Sequence, residues 1–91
     1  MAVTINIPTP LRKLTSNQAE VELEAASVGE LVENLEEAYA GIKEKLTDQS
    51  GDIRRYVNIY IHDDDIRFLD GKDTALSDGD VVSIVPAIAG G

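Results

Sequence analysis

Cysteine is absent from this chain of 91 residues. That one absence removes disulfides, iron–sulfur ligation, cysteine zinc sites and thiol nucleophiles together. There is also only one histidine, so a Ser-His-Asp triad or a Cys-His dyad has almost no raw material. Tryptophan is missing and aromatic residues make up 4% of the chain, so any core must be mostly aliphatic. No apolar stretch approaches the roughly 20 residues that span a bilayer. Residues 1–15 lack a basic segment followed by an apolar run, so no secretory leader is expected. The expectation is a soluble cytoplasmic protein, without membrane association and monomeric when free. The length suits one domain near the lower end of the usual size range.

Positive charge is scarce as well. The net charge is −9, which argues against nucleic acid, whose binding depends on Lys and Arg neutralising phosphates. Between Leu14 and Ile42 there are seven glutamates and no Lys or Arg. From Asp63 to Asp80 there are seven aspartates against only Arg67 and Lys72. A solvated, solubilising surface fits this pattern. So does a docking face for a basic partner, where complementary potentials raise the association rate.

Several elements can be read from what is present. Val3, Ile5 and Ile7 alternate with Thr4 and Asn6, which predicts a half-buried strand ended by Pro8 and Pro10. Residues 9–18 read as a loop anchored by Leu11 and Leu14. Ala19, Val21, Leu23 and Ala25 alternate with Glu20, Glu22 and Glu24, giving a second strand that forms a hairpin with the first. Ser27 and Glu30 make a capping box. It opens a helix whose apolar stripe is Val28, Leu31, Val32, Leu35 and Ala38, with Gly41 as its stop. Ile42 and Leu46 suggest a short irregular turn. The run Tyr56 to Ile61 is the strongest strand. Asp63 to Asp65 form a turn before a short strand around Ile66 to Phe68. Asp70-Gly71 and Ser77-Asp78-Gly79-Asp80 signal turns, and Val81 to Val85 is the last strand, closed by Pro86. One amphipathic helix covering one face of a small mixed sheet is a two-layer α+β domain. Its core is expected to contain Leu31, Val32, Leu35, Val57, Ile59, Val82 and Ile84. The domain is placed at 1–86 and a flexible tail at 87–91.

That tail ends on Ala89-Gly90-Gly91. Two terminal glycines arise by chance in roughly 0.5% of chains at an average glycine usage of about 7%. Without a Cβ, glycine permits close approaches denied to other residues. A thin thread bearing a terminal carboxylate is one reading; an unselected, frayed end is the other. From Pro86 onward the tail spans up to about 20 Å at ~3.3–3.6 Å per residue. A carboxylate carried that far can enter a deep, narrow site on another protein.

Three stretches carry a resemblance across essentially the whole chain. They are Arg55-Tyr56-Val57-Asn58-Ile59-Tyr60-Ile61, Ser77-Asp78-Gly79-Asp80-Val81 and Pro86-Ala87-Ile88-Ala89-Gly90-Gly91. Together they resemble the β-grasp fold with ubiquitin-like topology. More closely, they resemble the prokaryotic sulfur carriers, which include the thiamine-pathway carrier and the small subunit of molybdopterin synthase. Read on through Asp64-Asp65-Ile66-Arg67-Phe68, the first stretch is most similar to the branch serving cysteine biosynthesis. The resemblance implies that an adenylyltransferase related to ubiquitin-activating enzymes consumes ATP to adenylate Gly91. The acyl adenylate is then converted to a thiocarboxylate, whose sulfur a second enzyme such as a cysteine synthase uses. Gly90 and Ala89 would be the channel-fitting neighbours. Within this reading a molybdopterin-type carrier remains open, and so does a ubiquitin-like modifier joined to lysines through Gly91. A plain interaction module with an incidental tail is a third possibility.

The chemistry suits these residues. A terminal carboxylate, with a reference pKa of about 3.3–3.7, is ionised at neutral pH and can attack an α-phosphate. The chain has no Gly-x-x-x-x-Gly-Lys-Ser/Thr phosphate loop and no cysteine to carry a persulfide. It therefore reads as a substrate and carrier with no catalytic residue and no bound cofactor. His62 beside Asp63, Asp64 and Asp65 invites a metal reading. Metal sites need ligands converging in a defined geometry, so these residues are read as a solvated turn. Tyr56 and Tyr60, on the strand face opposite Val57, Ile59 and Ile61, join Val85 and Ile88 as a candidate apolar partner patch. Partial burial in the monomer is the alternative.

Overall fold

The structure, a computed structural model, describes residues 2–86. Alternation of small and apolar side chains puts Val3 and Ile5 on one face of strand β1 (Ala2–Asn6). Strand β2 (Glu20–Glu24) pairs antiparallel with it, matching Ile5 to Val21 and Val3 to Leu23. The expected hairpin is therefore present. Because side chains alternate across a strand, Glu20, Glu22 and Glu24 fall on the exposed side. Between the strands, Thr9–Leu14 form a 3-10 helix where a loop is the simpler reading. Pro10 suits its first turn, where no N–H is needed. Leu11 and Leu14 pack on the core as expected.

Helix α1 (Val28–Ala38) starts at the capping box. Ser27 Oγ accepts from Glu30 N at 3.2 Å, and Glu30 Oε1 accepts in return from Ala26 N at 3.1 Å. The return bond thus reaches one residue further back than the usual box. Gly29 sits in the first turn, where an added Cβ would make ordinary contact with the Lys72 carbonyl at 3.4 Å. A second helix, α2 (Ile42–Leu46), replaces the irregular turn expected there. Gly41, at φ +98°, reverses the chain between the helices. Such a left-handed angle is costly for any residue with a Cβ.

Strands β3 (Val57–Ile61), β4 (Asp64–Asp65) and β5 (Val81–Pro86) complete a five-stranded sheet in the order β2-β1-β5-β3-β4. β5 lies parallel to β1 and antiparallel to β3. The short strand expected at Ile66 to Phe68 is a 3-10 turn instead, and the pairing falls on Asp64 and Asp65. Two side chains cause the shift. Asp65 accepts a bond from Arg67 N at 2.8 Å, which tightens the chain into a turn. Arg67 then folds back onto the edge of β3, donating to the carbonyls of Arg55 and Val57 and to Asn58 Oδ1.

The helices cover one face of the sheet, as a two-layer domain requires. Leu31, Leu35, Val57, Ile59, Val82 and Ile84 join one buried cluster with Val3, Ile5 and Ile42. Val32 is buried at 3% exposure but lies outside that cluster. The arrangement is a β-grasp fold. No helix among the described residues is long and apolar enough to cross a membrane.

Candidate functional site

The site is built from the carboxyl end of β5, the last strand of the described residues. At its start β5 is held on both sides: Val81, Val82 and Ser83 face Thr4, Ile5 and Asn6 of β1. From Ile84 to Pro86 only β3 continues the pairing, with Ile84 opposite Ile59, Val85 opposite Asn58 and Pro86 opposite Val57. β1 has already stopped, because Pro8 cannot donate to a ladder and the chain turns into the Thr9–Leu14 helix.

This divergence leaves a groove of about 250 Å³ beside the strand end. Pro10, Leu11, Tyr56 and Ile84 supply apolar walls, with Pro86 at the edge. Lys13 and Lys45 stand at its rim, and no carboxylate lines it. The Arg54 guanidinium is 6.0 Å from the centre of the Tyr56 ring, a cation–π distance. Arg54 also donates to the Glu44 carbonyl at 3.1 Å. Acidic side chains are dense on β2, on α1 and around the turns after β3 and before β5, while Glu44 adjoins Lys45 on α2 and Arg54 shares a neighbouring cleft with Glu36, Glu44 and Asp48.

The proposed patch is only partly assembled. Tyr60 and Val85 share the outer face of the sheet, on neighbouring strands. Tyr56 does not extend that face. It lies in a turn closed by Val57 N donating to Arg54 O at 3.0 Å, and it lines the groove. Val85 is 44% and Tyr56 48% exposed, so neither is consumed by the core. Ile88, Ala89, Gly90 and Gly91 lie outside the described residues, as does the tail boundary at 87.

His62 and the aspartates take other roles. His62 Nε2 is 3.1 Å from Asp80 Oδ1, and the Asp80 carboxylate also accepts from Ser77 N at 2.8 Å. Asp65 is occupied with Arg67 N. Among the described residues, no group of three or more His, Cys, Asp or Glu is placed to hold a metal ion. Glu36 is a structural carboxylate that the sequence reading missed. It accepts from Gly41 N at 3.1 Å and Lys43 N at 2.9 Å, capping α2 from the preceding helix. Those backbone bonds, Lys43's first, hold its carboxyl below the ordinary 4.5.

Known proteins share this architecture. The sulfur carrier protein CysO of Mycobacterium tuberculosis is 47% identical over 93 residues, which covers 100% of both chains. Small archaeal modifier protein 3 of Haloferax volcanii is 39% identical over 66 residues, covering 72% of this chain and 71% of that protein. A chain in the crystal structure of the Amycolatopsis orientalis BexX/CysO complex superposes with a TM-score of 0.92 at 40% identity. It covers 98% of this chain and is itself covered to 99%. The model of the ThiS family matches residues 5–91, from β1 through the terminal glycines, and with a full-length relative at this identity the chain belongs to that family.

Proposed function

We propose that this chain is a sulfur carrier whose Gly91 carboxylate is activated as an acyl adenylate and then converted to a thiocarboxylate. The observation that carries the reading is the full-length similarity to a sulfur carrier protein, which includes the terminal glycines. The position of β5 supports it. A strand held by β1 and β3 delivers its last residue, Pro86, at the domain's edge. A strand held on both sides, with five residues of sequence beyond Pro86, lets a partner enzyme place the reacting carboxylate within about 3–3.5 Å of its target.

In the first step a Gly91 carboxylate oxygen attacks the α-phosphorus of ATP and pyrophosphate leaves. In the second, a sulfur nucleophile supplied by the partner adds to the acyl carbon and AMP leaves. Glycine puts no side chain in the way of either attack. The chain is the substrate of these steps and its partner is the enzyme. The adenylyltransferase is of the ubiquitin-activating type. The acceptor enzyme uses the sulfur for cysteine biosynthesis, in line with the CysO relative. A second reading, conjugation of Gly91 to protein lysines, is favoured by the similarity to an archaeal modifier protein.

Intact mass after incubation with the adenylyltransferase, ATP and a sulfide source tests the reading. Wild type should exchange one oxygen for sulfur. Deleting Gly91, or adding one residue after it, shifts the carboxylate by about 3.3–3.6 Å and should abolish the exchange. If the lengthened chain gains sulfur as readily as wild type, the terminal-carboxylate mechanism is wrong. Lysines linked to Gly91 in cell extracts, with no thiocarboxylate, would favour the modifier.

A further inference from the structure

The distribution of positive charge runs against the composition of the chain. The sequence has 17 acidic and 8 basic side chains. Three of the basic ones lie near carboxylates: Lys43 with Glu33, Lys72 with Asp52, and Arg67 with Asp65. Arg12, Lys13, Lys45, Arg54 and Arg55 have no carboxylate partner among the described residues. Not all of them surround one site, since Arg54 also lines a cleft with Glu36, Glu44 and Asp48. Lys13 and Lys45 rim the groove beside Pro86, Arg54 stands over its Tyr56 wall, and Arg55 adjoins Tyr56 in the chain. Arg12, next to Lys13, donates to the Ile7 carbonyl at the entry of the 3-10 helix.

Lys13 and Lys45 are exposed. Ion pairs between exposed groups are worth little to stability, about 0–1 kcal/mol, so the absence of partners costs the fold little. It leaves unpaired cations around an apolar floor. An interface of that kind fits a partner with the opposite layout, an apolar centre flanked by carboxylates. The two lysines also lower locally the repulsion that a net charge of −9 presents to an acidic surface.

We propose that the groove walled by Pro10, Leu11, Tyr56 and Ile84, with Lys13 and Lys45 at its rim, is a docking site for an acidic, apolar-centred surface of the adenylyltransferase. The proposal rests on the carrier reading above. It assigns partner recognition to the Lys13 and Lys45 side of the molecule and gives no docking role to the glutamates of β2 and α1. Docking there fixes Pro86, and through it the origin of the tail.

Steady-state adenylation by the ubiquitin-activating-type adenylyltransferase of the same genome tests it, with the full-length chain as the varied substrate. The Lys13→Glu/Lys45→Glu double variant should raise KM at least about tenfold at low salt, the scale on which steering charges alter association. Its kcat should stay within about twofold, and the KM difference should shrink as salt rises. Lys13→Gln/Lys45→Gln should give a smaller rise in the same direction. Glu22→Lys/Glu37→Lys, on the acidic side, should leave KM unchanged or lower it. An unchanged KM for the Lys→Glu pair, with active wild type, overturns the docking site alone. A larger KM rise for the Glu→Lys pair overturns it in favour of the acidic face. A wild type that is not adenylated at all overturns the carrier reading, and the docking site with it.

Discussion

Leu35 is the most direct test of the fold that supports this site. It has 0% exposure and belongs to the central cluster, on the face of α1 turned to the sheet. Replacing it with Ala removes three carbons. The transfer contribution alone is about 2.4 kcal/mol, at about 0.8 kcal/mol for each buried carbon. A cavity contribution adds to this wherever the walls cannot close. Here closure is restricted. Beneath α1, β5 is tied to β1 and β3, and the helix start is pinned by the Ser27 and Glu30 bonds. The expected cost is therefore about 3–5 kcal/mol, the upper part of the range for buried leucines. That is a large share of the roughly 5–15 kcal/mol by which domains are stable. Urea unfolding followed by far-UV circular dichroism measures it, with an unchanged m-value showing that the denatured state is not the cause. A cost below about 1 kcal/mol, the scale of a surface substitution, would refute the placement of Leu35 at the centre of the core.

Two further outcomes test the contacts that frame the site. Glu36→Gln should lower stability at neutral pH, since the carboxylate accepts the backbone N–H groups of Gly41 and Lys43. Its folded pKa lies below 4.5, so the contribution is present above that value and lost as pH falls through the lowered one. The gap between wild type and variant in pH-dependent unfolding should close accordingly, and a gap that persists in acid would contradict the assignment. Arg67→Ala should cost about 1–3 kcal/mol, because the guanidinium bonds two carbonyls and Asn58 along β3 and bonds to charged groups are worth roughly 1.5–3 kcal/mol. Arg67→Lys should recover less than half of that, since an ammonium lacks the planar fork; full recovery by Lys would show that charge alone matters.

The elements that were legible are those whose determinants are local. α1 carries its cap and its stripe within twelve residues of one another, though it ends at Tyr39, two residues before the expected stop at Gly41, which instead starts α2. The hairpin follows from strict alternation, and β5 from an apolar run between a turn and a proline. The elements that were not legible depend on groups distant in the chain. α2 has only five residues, too few to show a helical period. Its open N-terminus is satisfied by Glu36, which reads locally as one more surface glutamate. Ile66 and Phe68 alternate like a strand, yet Asp65 and Arg67 bend that segment into a turn and leave Phe68 87% exposed. Tyr56 continues the alternation of β3 in sequence, but the bond from Val57 N to Arg54 O turns it out of register. The groove was the least visible feature. Lys13 and Lys45 sit on different elements and meet only when the 3-10 helix and α2 pack at the same end.

Proline placement links that groove to the tail. Pro8 ends β1 one strand-width from β5, and Pro10 starts the 3-10 helix that curls away. Had β1 continued, it would have paired Ile84 to Pro86 on their free side and buried the groove under a second strand. Pro86 acts at the other boundary. It still faces Val57 of β3, but with no N–H it offers that ladder no donor. Pro86 is the last described residue of β5, and it borders the groove. In the proposed docking, the adenylyltransferase that grips the groove is also the body that receives the tail. Binding at Lys13 and Lys45 thereby acts on the reaction through position. The docking contacts are remote from the reacting atoms, and remote binding energy serves catalysis by holding a substrate in reacting geometry. For a carrier with no catalytic group of its own, the shape of the tail's root is the property through which its sequence can influence the rate.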